Sequence, residues 1–138
     1  MKVYGLVPAY NEEDNVQEVI DRLKKIKVVP IVVDDGSTDR TSEFAKKRKA
    51  VVLRHEKNKG KGEALKTGFK YILQKCKGAK YVVIIDADMQ YPPEESIKLI
   101  EVLKQGADLV TGYRDLEKIP FRHRSKKRVF HERYEKHK

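Results

Sequence analysis

The chain has 138 residues, 38% of them charged, 39% hydrophobic and 8% aromatic, with a formal net charge of +10. That is apolar material for one folded core, too much for a disordered chain, and no apolar run approaches the ~18 residues of a membrane span. The single cysteine, Cys76, rules out an internal disulfide and, with a first strand that starts at once, predicts a cytoplasmic protein without a leader. The positive charge gathers at the end: residues 114–138 hold ten Lys and Arg against four Asp and Glu. Such a tail favours anionic partners, or serves only as a solvated end.

In chain order, residues 3–7 read as a strand stopped by Pro8. Asn11 is a cap type for the helix that follows, with Asp14 in its first turn. Val16, Val19, Ile20, Leu23 and Ile26 recur at helical spacing. Residues 28–33 form a second buried strand that runs into Asp34, Asp35, Gly36, Ser37, Thr38 and Asp39. Gly36 permits a tight turn, and Ser37, Thr38 and Asp39 are cap types for a short helix through Phe44 and Ala45. A third strand covers 50–53.

Residues 58–62, Asn-Lys-Gly-Lys-Gly, form a turn that opens a helix with an apolar stripe of Leu65, Gly68, Phe69, Ile72, Leu73 and Cys76. Residues 81–85 are a short, β-branched run, read as a central strand buried on both faces. They lead into Asp86 and Asp88, whose i, i+2 spacing on extended chain points both carboxylates one way. Pro92 and Pro93 suit the first turn of the next helix, with Ile97, Ile100 and Leu103 inward and Gly106 at its end. A fifth strand follows at 107–111. Strands alternating with helices predict an α/β domain with a mainly parallel sheet flanked by helices. The organisation expected is a domain at 1–114 and a basic tail at 115–138.

Ligands of open α/β sheets bind at the carboxyl ends of the strands. Asp86 and Asp88 stand there, and paired hard oxygens suit Mg²⁺ or Mn²⁺ together with substrate phosphates. No Gly-x-Gly-x-x-Gly and no P-loop are present. His55, His123, His131 and His137 lack metal-ligand spacing and read as surface residues. Cys76 reads as a buried thiol without a paired base. The basic charge alone does not make a nucleic-acid binder, because no such motif accompanies it.

Four blocks, each at a strand-to-loop junction, carry a resemblance: residues 7–13 (Val-Pro-Ala-Tyr-Asn-Glu-Glu), 33–39 (Val-Asp-Asp-Gly-Ser-Thr-Asp), 58–62, and 86–90 (Asp-Ala-Asp-Met-Gln) with Pro92, Pro93 and Glu94 behind. In this order the chain resembles the inverting family-2 glycosyltransferases, most of all the polyprenyl-phosphate (dolichyl-phosphate) mannose or glucose synthases. The resemblance spans about residues 3–114. It implies the nucleotide-diphospho-sugar transferase fold and transfer of a hexose from a nucleotide sugar such as GDP-mannose or UDP-glucose.

It also implies roles. Pro8, Tyr10 and Glu12 would wall the nucleotide base and ribose. Val33 and Asp35 would contact the nucleoside. Asp86, Ala87, Asp88, Met89 and Gln90 would line the donor, with Asp86 and Asp88 catalytic and Asp88 and Gln90 holding the metal. The plainer reading of Asp34 and Asp35 is turn formation and capping. Arg114 and Arg128 would hold an acceptor phosphate, the favoured acceptor being a polyprenyl phosphate at the membrane face. Phe121, Val129, Phe130 and Tyr134 interleave with the tail's charge, as at a membrane interface. Family members continue further, with an acceptor-binding helix. The alternative is therefore a nucleotide-sugar-binding module, or a donor half completed by a homodimer or a partner protein.

Overall fold

This computed structural model describes residues 2–107, and the main chain of two strands at 109–112 and 134–137. The elements run β1 (Lys2–Ala9), α1 (Val16–Lys25), β2 (Val28–Asp34), α2 (Thr41–Lys47), β3 (Val51–Arg54), α3 (Lys61–Lys75) and β4 (Ala79–Ile84). A 3₁₀ turn (Pro93–Glu95), α4 (Ser96–Lys104), β5 (Leu109–Gly112) and β6 (Tyr134–His137) follow. The chain divides into two compact units, Met1–Glu94 and Glu95–Lys138.

The first unit is a four-stranded sheet of order β3-β2-β1-β4, parallel throughout. Tyr4 and Leu6 of β1 share one face with Ile31 and Val33 of β2, and Ala64 and Ile72 of α3 close over them. The opposite face carries Val28, and α1 packs there through Leu23. Leu6, Ile31, Val33, Val16, Val19, Ile20 and Leu23 are completely buried, each contributing ~1.5–3 kcal/mol of apolar burial.

Two prolines sit inside strands. Pro8 does not stop β1; it pairs in register with Val33. Leu6 O accepts from Ile85 N, so Leu6 and Pro8 face the β4 side of β1. β4 ends at Ile84, opposite Leu6, so the missing N–H of Pro8 falls past its last partner. Pro30 repeats the arrangement on β2. Asp34 O accepts from His55 N on the β3 side, which puts Pro30 on that side too, before pairing with β3 begins at Ile31 and Val51.

Several expectations are corrected. β4 is the end strand of the described sheet rather than a central one, and Ile84 is exposed. β5 does not continue this sheet but pairs antiparallel with β6 in the second unit. Asn11 does not cap α1, which starts at Val16; Asn11 has φ +52° and its side chain bonds elsewhere. Phe69 and Leu73 are exposed, because the buried stripe of α3 is Ala64, Gly68 and Ile72. Ile97 is exposed, whereas Ile100 is buried. Cys76 is half-buried, packed at the edge of the core that contains Tyr4.

Gly68 is required where α3 crosses β1. A Cβ there would lie 2.1 Å from Leu6 Cδ1 and 2.9 Å from Cδ2. Leu6 is fully buried and has nowhere to turn. Gly→Ala inside a helix ordinarily gains up to ~1 kcal/mol, but overpacking costs ~1–3 kcal/mol. Gly68→Ala is expected to lower the midpoint of chemical denaturation, whereas Gly62→Ala, where a Cβ meets nothing within 4 Å, is expected to raise it.

Arg22 clamps Glu94 through two bonds, Nε to Oε1 and Nη2 to Oε2, both 2.6 Å. The Arg22 guanidinium holds the Glu94 carboxyl below its ordinary value. A carboxyl lowered in the fold stabilises above its unfolded pKa, and that contribution disappears as pH falls through the folded value. Glu94→Gln should therefore reduce the melting temperature at neutral pH by a small amount, since the pair is partly exposed. The two melting curves should converge below the ordinary carboxylate range.

Candidate functional site

The parallel register brings the four motif loops to one edge. Ala9 pairs with Asp34, Asp34 with Arg54, and Leu6 with Ile84. The loops after β1, β2, β3 and β4 therefore leave the carboxyl edge of one sheet. Asp34 stands at its centre, completely buried. Its Oδ1 accepts from Ser37 N (2.9 Å), and its Oδ2 accepts from Ser42 Oγ and from Arg54 Nη1 (3.1 Å). Arg54 Nη2 also donates to Ser37 O (2.9 Å). Gly36, at φ +77°, makes the turn; a Cβ there would strike the backbone of Lys57 at 2.4 Å.

The turn after β2 then holds the loop after β1. Asn11 N donates to Ser37 Oγ (2.8 Å), Glu12 N to Thr41 Oγ1 (2.9 Å) and Glu13 N to Asp39 Oδ2 (3.2 Å). In return, Asn11 Oδ1 accepts from Thr38 N (2.8 Å) and Glu13 Oε2 from Arg40 N (3.0 Å). Burial would raise the Asp39 carboxyl, but the bonds from Thr41 and from Glu13 N outweigh it and hold it low. This bracing leaves Tyr10 45% exposed at the tip and Glu12 half-buried. Burial, and then the nearby carboxylates of Asp88, Asp39 and Asp14, raise Glu12 above its ordinary value despite a bond from Asn15.

Asp35 turns inward. Its Oδ1 accepts from Lys59 N (2.9 Å) and lies 2.7 Å from His55 Nδ1, while Oδ2 accepts from Gly60 N (2.8 Å). His55 Nε2 lies 2.7 Å from Thr67 Oγ1. The surface reading of His55 is therefore corrected: it is buried, because the residue after β3 stays against the end of β2, its N donating to Asp34 O (2.9 Å). Burial alone would raise the Asp35 carboxyl; the bonds from His55, Lys59 and Gly60 prevail and lower it.

The fourth loop turns rather than extends. β4 ends at Ile84, and Met89 has φ +63°, so strand alternation does not govern Asp86 and Asp88. Asp86 Oδ1 pairs with Lys61 Nζ at 2.6 Å. Asp88 Oδ1 accepts from Gln90 N (3.0 Å), and Asp88 is near enough to Glu12 to raise it. Among the described residues no three His, Cys, Asp or Glu side chains converge as a metal cage. Asp88 with Gln90 beside it would offer hard oxygens to one side of a divalent ion, the usual protein share when substrate phosphates complete the shell.

Of the residues expected at the site, Pro8, Tyr10, Glu12, Asp35, Asp86, Ala87, Asp88, Met89 and Gln90 all lie on these loops or the strand ends that lead into them. Val33 lies in the core beneath, fully buried, which leaves only its main chain for the expected nucleoside contact. Ala87 is buried. Arg114 and Arg128 lie outside the described residues. His55, Lys61 and Thr67 were not expected. The block at 58–62 signalled Lys61, but nothing in the sequence ties His55 to Asp35.

Comparisons with known proteins agree with this geometry. The family model described as "Glycosyl transferase family 2" matches residues 6–138. An uncharacterized protein of Methanocaldococcus jannaschii, MJ0544, is 44% identical over 123 residues, covering 84% of this chain and 53% of that protein. The dolichol-phosphate mannosyltransferase of Pyrococcus furiosus is 40% identical over 122 residues, covering 83% of this chain and 33% of that enzyme. The chain thus spans about half, or less, of the length of these relatives. A crystal structure of glucosyl-3-phosphoglycerate synthase from Mycobacterium tuberculosis, in complex with Mn²⁺, UDP-glucose and glycerol 3-phosphate, superposes with a TM-score of 0.64 at 29% identity, over 83% of this chain and 45% of that one. The sheet, its loop edge and the sequence together place this chain in glycosyl transferase family 2.

Proposed function

We propose that the chain forms the donor-binding part of a metal-dependent, inverting glycosyltransferase that moves a hexose from a nucleotide diphospho-sugar to a polyprenyl phosphate. The observation that carries this reading is the convergence of the loops bearing Tyr10, Asp35 and Asp88 on one sheet edge. The Pyrococcus relative is named for transfer to dolichol phosphate, and the mycobacterial neighbour holds UDP-glucose with Mn²⁺.

In this reading Pro8, Tyr10 and Glu12 wall the base and ribose, with Tyr10 exposed for stacking. Asp35 and the Val33 main chain meet the nucleoside. Asp86 orients the sugar side of the donor, Lys61 balances its charge, and Ala87 and Met89 shape the turn. Asp88 and Gln90 hold Mg²⁺ or Mn²⁺. When bound, the ion supplies Lewis-acid stabilisation of the departing diphosphate, a class of electrostatic help in which single donors are worth ~3 kcal/mol.

A phosphate acceptor is already anionic, so transfer to it requires no general base; it requires cations to hold it. We assign that task to Arg114 and Arg128, with residues 1–114 as the donor domain and 115–138 as a basic tail at the cytoplasmic membrane face. No described helix is long and apolar enough to cross a membrane.

A thermal-shift series with GDP, UDP, GDP-mannose and UDP-glucose, with and without Mn²⁺, tests the donor site. A ligand at a hundredfold excess over its Kd stabilises by about 2.7 kcal/mol. One base is expected to shift the melting temperature only with Mn²⁺, and Asp88→Ala to abolish that shift while leaving the unliganded melting temperature within a few degrees. Transfer of labelled hexose to a short-chain polyprenyl phosphate tests the acceptor. Binding without transfer would favour a donor half completed by another protein, and no binding to any nucleotide would overturn the reading.

A further inference from the structure

The buried pair His55–Asp35 has no part in the reading above beyond the nucleoside contact of Asp35. Asp35 belongs to the loop after β2, His55 follows β3, Lys59 and Gly60 precede α3, and Thr67 lies on α3. Among the described residues, Asp35 Oδ1 is saturated by Lys59 N and by His55, whereas Oδ2 accepts one bond, from Gly60 N. A carboxylate oxygen accepts two bonds. One acceptor position of Oδ2 therefore remains, on a group held by three donors.

Without His55, Asp35 has freedom to rotate about its side-chain bonds, and the start of α3 loses its anchor. That start includes Lys61, whose Nζ reaches Asp86. We propose that His55 is a positioning residue of the donor site: braced on Thr67, it fixes the Asp35 carboxylate so that the spare acceptor of Oδ2 meets an N–H of the donor base, and it holds the Lys59–Gly60 backbone that delivers Lys61 to Asp86. The proposal rests on the donor-site reading above. Groups that fix the orientation of a ligand-binding side chain commonly change affinity tenfold or more when removed.

The experiment compares wild type with His55→Leu and His55→Asn, each shown to be folded by circular dichroism. Asparagine keeps an N–H donor near the place of Nδ1; leucine keeps the bulk and loses the donor. Binding of GDP and UDP with Mn²⁺ is measured by calorimetry, and amide exchange at Lys59 and Gly60 by NMR. His55→Leu is expected to weaken binding of the nucleotide that wild type prefers by about tenfold and to speed exchange at both amides. His55→Asn is expected to restore most of both.

Two results overturn the proposal alone: His55→Leu binding nucleotide as wild type does, or His55→Leu and His55→Asn equally impaired. A merely structural histidine gives the first, lowering the melting temperature without moving affinity. Failure of wild type to bind either nucleotide overturns the donor-site reading, and the proposal with it, whatever the exchange rates show.

Discussion

Two adjacent carboxylates at the end of β2 organise the loop edge of the sheet. Consecutive residues leaving a strand point to opposite sides, so Asp34 and Asp35 reach different neighbours. Asp34 gathers Ser37, Ser42 and Arg54, and thereby shapes the turn on which the loop after β1 rests. Asp35 gathers His55, Lys59 and Gly60, and thereby fixes the start of α3. Both are buried. A buried carboxylate is tolerable only with its hydrogen bonds made, and here the donors come from the turn after β2, from α2, and from the end of β3 with the loop that follows it. Satisfying two charges thus sets the mutual placement of the segments that carry the candidate site.

The residues proposed to bind and the residues that brace are therefore interleaved along the same motif. Asp35 could contact a nucleoside only through capacity left over from its structural bonds. Ser37, Thr38, Asp39 and Thr41 make bonds that hold residues 11–13, and through them Tyr10 and Glu12. Turn formation and ligand contact are not competing explanations of the block at 33–39. One set of oxygens serves the turn so that neighbouring side chains are held for a ligand, which is how a site on loops gains the rigidity that loops ordinarily lack.

The sheet was legible because its strands are β-branched runs and its helices keep a 3.6-residue apolar period. The four loops were legible because turn residues and carboxylates mark strand ends. What was not legible depended on pairing between distant segments. The run at 81–85 has the composition of a central strand, yet strand order is a matter of topology, and β4 stands at the end of the described sheet. Pro8 looked like a strand breaker, since only the register shows that its missing N–H, like that of Pro30, falls beyond a neighbour's end. His55 read as a surface residue because its partners, Asp35 and Thr67, lie 20 and 12 positions away. Phe69 and Leu73 satisfied the helical period but lie off the face that Gly68 brings against Leu6.

The electrostatics of the edge carry the functional reading furthest. Glu12 is raised by its burial and by Asp88, Asp39 and Asp14 around it. An acid raised in the fold is charged at neutral pH at a cost, so this cluster destabilises the free protein above the unfolded pKa of that group. Asp39 is compensated by hydrogen bonds and Asp86 by Lys61. Asp88 is given, among the described residues, one backbone N–H, that of Gln90. Among the described residues, Glu12 is the carboxyl on this edge that burial and neighbouring carboxylates hold above its ordinary value. Uncompensated like charge is the kind of local strain that persists at functional sites rather than in scaffolds. A divalent cation held at Asp88 would relieve it, because its positive charge offsets both carboxylates.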